Sequence, residues 1–454
     1  MISLVPEMPR RAKRHQRHRS NTQRATYNAC VARPVSSKET QSNPKALLAK
    51  QAEWDRLRAV PRPDGGLGVW DETLVTEWRT VKRKALQEGR KIHIGRVFDI
   101  IVEKNSELVE SDPKRKFKGR AVFGGNDVHD EVGNWAIFQD LGSCPATMEA
   151  ARAADAYGCM PGHSAEQCDA EQAYTQAVLV GTETWVRLPR DQWPASWSAM
   201  HDPVVPLRLA LYGHPDSGGH WERHCERHLK EAGYEPVPNW RSTFWHPRLR
   251  LYLVVYVDDF KLSGPTENLQ EGWALIRRNI KTDDPHPPDL FLGCRHNVFE
   301  RTLPDTGVKV RGIEYDMSDF LRSCVERYKE LTGVVSLRKA ATPFLPEPTK
   351  PDFSHCEAGP LVEPTPCEAL QEVMDCIGGQ GTRTLAAGTP KATAKQAEEV
   401  DNPDIPEQLT PYAAKVLVKI LYAARYARLD LLRAVCALAQ RVSRWDRECD
   451  IFSG

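Results

Sequence analysis

The chain has 454 residues, 62 Lys and Arg against 61 Asp and Glu, a formal net charge of +1, and 41% apolar residues. That is length for two to four domains and apolar content for a sizeable core, which excludes a wholly disordered chain. The longest useful apolar run, Leu251 to Val257, has seven residues, short of the ~18 that a membrane span needs, and the N-terminus has no apolar leader segment, so secretion is not expected.

Residues 1–45 read as a basic, disordered arm. Residues 9–38 hold nine Lys or Arg and no acid, which leaves the rest near −8 (+1 minus +9). Such a stretch buries too little to fold alone. It suits nucleic-acid contact or a nuclear address, and equally a solvated tail. In 46–110, Ala46–Arg58 and Trp70–Lys84 read as helices, parted by a Pro-Asp-Gly-Gly turn signal within Pro61–Gly68. Ile92–Val102 reads as a strand. Lys114–Gly125 reads as a basic strand ending in a Gly-Gly turn. Pro145–Tyr157 and Trp221–Ala232 read as helices, with Gly158 and Gly233 just past their ends. Residues 346–411 hold ten of the 33 prolines, so 346–410 reads as a linker. In 411–454, Pro411–Trp445 reads as strongly helical. The 12 cysteines include no C-x-x-C pair, which argues against a zinc ribbon or disulfide frame and for a reducing interior, cytoplasmic or nuclear.

The most informative segment is Leu251–Pro265. Strand-forming residues run into Asp258 and Asp259, and a second apolar stretch follows to Gly264. A β-hairpin with the acids at its turn is the simplest geometry. Paired carboxylates near a core repel and lose hydration, and a divalent cation compensates. Asp169 lies 89 residues earlier in a similar setting, with Tyr174 five residues on. Three carboxylates can hold two Mg²⁺ about 4 Å apart, the arrangement for nucleotidyl transfer. Asp283-Asp284, in a polar loop before Pro285, is assigned no role.

Tyr256-Val257-Asp258-Asp259 resembles the Y-x-D-D signature of reverse transcriptases, and the wider pattern is similar to the copia-type retrotransposon polyprotein. Lys118-Gly119-Arg120-Ala121-Val122 resembles K-A-R-L-V of the fingers. Gln167 to Tyr174 resembles Q-M-D-V-K-T-A-F. Leu211-Tyr212-Gly213 with Trp221, then Leu290 to Gly293, Ala341 to Phe344, and Arg428-Leu429-Asp430 resemble later motifs in the family's order. The resemblance spans residues 50–345 and 411–445, roughly. It implies an α+β right-hand polymerase over 111–345. Its palm would be an antiparallel sheet, with fingers near 90–140, a small thumb near 300–345, and a C-terminal helical segment. It implies RNA-directed DNA synthesis on an RNA or DNA template with primer, using deoxynucleoside triphosphates. By position, Asp169, Asp258 and Asp259 would be catalytic and would hold two Mg²⁺ ions. Lys118, Arg120, Ala170, Tyr174 and Asp216 would line the nucleotide site, Tyr174 excluding a 2′-hydroxyl. Tyr256, Val257, Leu292 and Gly293 would contact the primer. Two positions depart from the family: Asp216 replaces a glutamine and cannot donate as an amide does, and Gly124 replaces a basic residue. No ribonuclease H domain is expected after Trp445, so the chain reads as a fragment or truncated copy of a polyprotein.

Two other readings stand beside this one. An inactive remnant would keep the fold and bind nucleic acid through the basic arm, although the acidic body opposes tight phosphate binding. A zinc enzyme would use His220, His224 and His228, spaced one turn apart; a solvated helix face is the simpler expectation for them. Trp185, Trp193, Trp197 and Trp240 suit base stacking or, more simply, a core. Cys168 and Cys294 are expected in the core.

Overall fold

The structure, a computed structural model, describes residues 32–104, 106, 111–113, 115–138, 143–333, 336–337 and 413–442. The Ala341–Phe344 motif, the proline-rich linker and most of the basic arm lie outside the described residues. The chain is mixed α+β with antiparallel sheets, and it divides into two compact units between Arg327 and Tyr328.

The first unit opens with β1 (Ala32–Pro34), α1 (Ser37–Ser42) and α2 (Pro44–Arg58). The expected arm is thus structured from Ala32 on. Arg33 pairs with Glu39 at 2.5 Å and with Glu103 at 2.8 Å, so its charge is used internally. Next come β2 (Thr76–Glu77), α3 (Trp78–Glu88), β3 (Ile92–Lys104), β4 (Lys116–Phe123) and β5 (His129–Asp130). The helix expected from Trp70 starts only at Trp78. Asp71 Oδ1 accepts the Thr73 amide at 3.1 Å and stabilises a short turn there, and Thr76–Glu77 pairs with Pro203–Val204. Local capping and strand pairing outweigh the helical spacing of the apolar residues.

Then follow α4 (Met148–Gly158), β6 (His163–Asp169), β7 (Glu183–Arg187), β8 (Pro203–Pro206) and α5 (Ser217–Glu231). α5 begins four residues before the expected Trp221. Ser217 Oγ donates to the Leu211 carbonyl at 2.7 Å and accepts its amide at 3.0 Å, so the helix can start ahead of Gly218-Gly219. The unit ends with β9 (Glu235–Pro236), β10 (Thr243–His246), β11 (Leu251–Tyr256), β12 (Asp259–Pro265), α6 (Thr266–Ile276), β13 (Leu290–Phe291), β14 (Cys294–Thr302), β15 (Lys309–Asp316) and the first part of α7 (Ser318–Thr332).

Three sheets result. One runs β1-β3-β7-β8-β2, with β4 and β5 also on β3. The second runs β6-β12-β11-β10-β9, all antiparallel. The third is β13-β14-β15. The second sheet is covered on both faces. Leu251, Leu253 and Val255 face a core with Trp221, Cys225 and Trp273 of α5 and α6. Tyr252, Val254 and Tyr256 face Ala150, Ala151 and Ala154 of α4. Burial on both faces is why β11 is apolar without alternation. In the second unit the expected C-terminal helix is two, Ala413–Tyr426 and Leu432–Ala439, separated where Arg428 pairs with Asp430 at 2.6 Å. Among the described residues no helix is long and apolar enough to cross a membrane.

Candidate active site

β12 pairs with β6 so that Asp259 lies opposite Asp169, and with β11 so that Asp259 lies opposite Tyr256. Val257 and Asp258 form the two-residue turn between β11 and β12. Val257 has φ 60° and Asp258 is not left-handed, the type II′ pattern that suits a hairpin. A β-branched residue seldom takes that backbone, and here it is held. Trp221 Nε1 donates to the Val257 carbonyl at 2.6 Å. The Ala170 amide donates to the Asp258 carbonyl at 2.7 Å. The acid turn is thus pinned by α5 on one side and by the end of β6 on the other.

Asp169 is placed by a residue that sequence reading passed over. Its amide donates to Asp283 Oδ1 at 2.7 Å, and the Asp283 amide donates to the Asp169 carbonyl at 3.0 Å. Nothing local marks Asp283, since its partner is 114 residues away.

The acids bear on one another. Burial first, then the charge of Asp258 and contact with Asp169, holds Asp259 well above the usual carboxylate range. Asp258 is also raised, by burial first; Asp169 adds to this, while Arg120 and Lys118 oppose it. A hard divalent cation relieves such repulsion, and an all-carboxylate donor set fits Mg²⁺ better than zinc. As the side chains stand, no three His, Cys, Asp or Glu among the described residues close on one ion.

Lys118 and Arg120 lie on β4, opposite Val102 and Ile100 of β3. Gly119 between them is required by packing, since a Cβ there would sit 2.7 Å from the Ala49 carbonyl of α2. Burial, then the nearby cations Lys104 and Arg120, lowers the Lys118 ammonium. The Arg120 guanidinium lies 5.9 Å from the Tyr212 ring centroid. Tyr212 meets Tyr174 edge-on at 4.7 Å. Burial raises the Tyr174 phenol, and Asp258 adds to the shift. Tyr174 therefore lies within the field of the acid turn and meets the cationic strand through Tyr212.

The remaining expected residues fall in two groups. Ala170 is buried, and its amide holds the acid turn. Tyr256 and Leu292 are half-buried beside Val254, Phe291 and α4. Leu292 and Gly293 form the turn between β13 and β14, with φ 51° and 79°, the type I′ pattern. The contacts of Asp216 run elsewhere: its amide donates to His214 Nδ1 at 3.2 Å and its charge bears on His93. Gly124 lies against Arg96, whose Cγ would be 3.3 Å from a Cβ added there. The neighbouring strand thus sets a cation beside Gly124, just past the end of β4.

The histidine face of α5 departs from a solvated one. His220 is buried, His224 stacks on Trp221 at 5.8 Å, and His228 pairs with Glu231 at 2.8 Å. Burial holds His224 down to about 4. His220 Nδ1 lies 3.1 Å from Arg223, His224 also meets His228 edge-on at 4.5 Å, and among the described residues no three His, Cys, Asp or Glu are grouped to hold one metal ion. Cys168 and Cys294 are buried as expected, Trp197 is in the core, and Trp240 is exposed.

No family model and no curated protein sequence matches the chain. Among solved structures it is similar to a foamy viral protease–reverse transcriptase in complex with double-stranded DNA. The identity is 13% and the TM-score 0.27, over 57% of this chain and 37% of that one. The chain spans little more than a third of that protein's length.

Proposed function

We propose that the chain is an RNA-directed DNA polymerase of the copia type, with fingers, palm and thumb subdomains, acting on deoxynucleoside triphosphates and a primed template. The observation that carries this is the pairing of Asp259 with Asp169 across β12 and β6, beside a turn that presents Asp258. Asp169, Asp258 and Asp259 are the residues that would hold Mg²⁺. Bound there, the cations would activate a primer hydroxyl and neutralise the leaving pyrophosphate. Trp221 and Ala170 keep the acid turn from shifting when charge develops beside it. Arg120 and Lys118 are suited to the triphosphate as charge-assisted donors. Tyr174 is suited to flank the sugar.

Primer extension on an RNA template with Mg²⁺ and deoxynucleotides tests this, with Asp258→Asn as the control. Extension by the wild type, reduced at least about a hundredfold in the variant, is expected for loss of a metal-holding carboxylate. No extension by either folded protein would sink the reading and leave an inactive remnant.

A further inference from the structure

Lys261 is fully buried, two residues beyond Asp259 on the same face of β12. Its ammonium donates to Asp155 Oδ1 of α4 at 2.7 Å and lies 3.2 Å from His296 Nε2 of β14. It also lies 4.0 Å from the ring centroid of Phe291 of β13. The Tyr315 hydroxyl of β15 donates to Asp155 Oδ2 at 2.9 Å. His296 Nδ1 lies 3.1 Å from the Cys294 carbonyl, and its Nε2 also lies 3.3 Å from Asp155 Oδ2. The ammonium is thus enclosed by a carboxylate, an imidazole and a ring face. Four elements meet on one cation, and β15 joins them through Asp155.

What this joins is unequal. The sheet of β6 and β9–β12 has a large core of its own. The β14–β15 ribbon is exposed along β14 from Asn297 to Thr302. A two-stranded ribbon is marginal in water by itself. Besides the buried cluster, its base is held by a few bonds, such as Arg311 Nη1 to the His163 carbonyl at 2.9 Å. A buried ion pair contributes little net stability against apolar residues of equal volume, but it does fix register.

We infer that Lys261 is a positioning residue: through Asp155, His296 and Tyr315 it sets the β13–β15 ribbon, and with it the Leu292–Gly293 turn, relative to the acid turn. What the ribbon holds, a primer end, rests on the polymerase reading above. The tie itself does not.

The test pairs Lys261→Met with Asp155→Asn in one protein, so that no buried charge is left alone; Tyr315→Phe is a milder second variant. Hydrogen exchange of the full chain is read by segment. In the double variant β10–β12 amides keep wild-type protection, while β13–β15 amides exchange at least about tenfold faster. Tyr315→Phe moves the same segment in the same direction, by less. In primer extension, KM for primer–template rises about tenfold, with kcat and nucleotide KM within about twofold. Unchanged exchange of β13–β15 in both variants overturns the tie. Faster exchange with an unchanged primer KM overturns the positioning role. A wild type that extends no primer removes the polymerase reading, and the exchange result still decides the tie.

Discussion

Tyr174 and Asp283 have separable tasks at the site. Tyr174 is held half-buried by Tyr212 and touches the field of Asp258, so its ring is fixed near the acid turn, where the proposed reading would seat a sugar. Tyr174→Ala should admit ribonucleotides, lowering discrimination between deoxy- and ribonucleotides by about tenfold or more. Competing incorporation of the two sugars measures this, and unchanged selectivity would contradict the role. Asp283 accepts the Asp169 amide, a task that an amide oxygen can also perform. Asp283→Ala should lower kcat about tenfold, while Asp283→Asn keeps most of it. Equal losses in both variants would instead make its charge the working part. Asp169 and the Asp258–Asp259 pair were legible in the sequence because each sits at the end of an apolar stretch. Asp283 was not, because a contact between distant loops leaves no local pattern. Neither does Arg96 beside Gly124, since the strands that bring them together must first be paired.

At the level of elements, the acid hairpin depends on α5. Trp221 is buried in the core under β11 and sends its one polar hydrogen to Val257. Trp221→Phe keeps an aromatic ring and drops that bond. It should destabilise the fold by about 1–2 kcal/mol and lower kcat more than nucleotide KM, because the turn then loses one of its two anchors. Denaturant midpoints and steady-state kinetics read the two effects; a kcat at the wild-type level would show that Ala170 suffices. The hairpin was legible because β11 is apolar on both faces and ends in acids. The boundaries of α5 and α3 were not. Gly218-Gly219 resembles a breaker until Ser217 is seen bonded to Leu211, and Trp70–Lys84 has helical spacing until Asp71 and the β2 pairing interrupt it. Each miss comes from a hydrogen bond or a strand partner that spacing does not encode.

For the molecule as a whole, acid stability follows from histidines that fold without their protons. Burial holds His214 down to about 3 and His224 to about 4, against about 6.5 in an unfolded chain. Between those values the unfolded state binds more protons than the folded state. Stability therefore rises with pH across that window, is fully present above about 6.5, and is lost as pH falls toward the folded-state values. His214 packs between Phe123 and Phe138, with centroids 4.9 and 5.3 Å away, and its Nδ1 accepts the Asp216 amide. His214→Phe should cost about 1 kcal/mol at neutral pH for that lost bond. Below pH ~6 its stability should fall less steeply than the wild type's, by up to about 1.4 kcal/mol per pH unit. Denaturant titrations at several pH values give both slopes. Parallel lines would mean that His214 is already protonated in the folded chain, and that its ring nitrogens meet a partner other than the Asp216 amide.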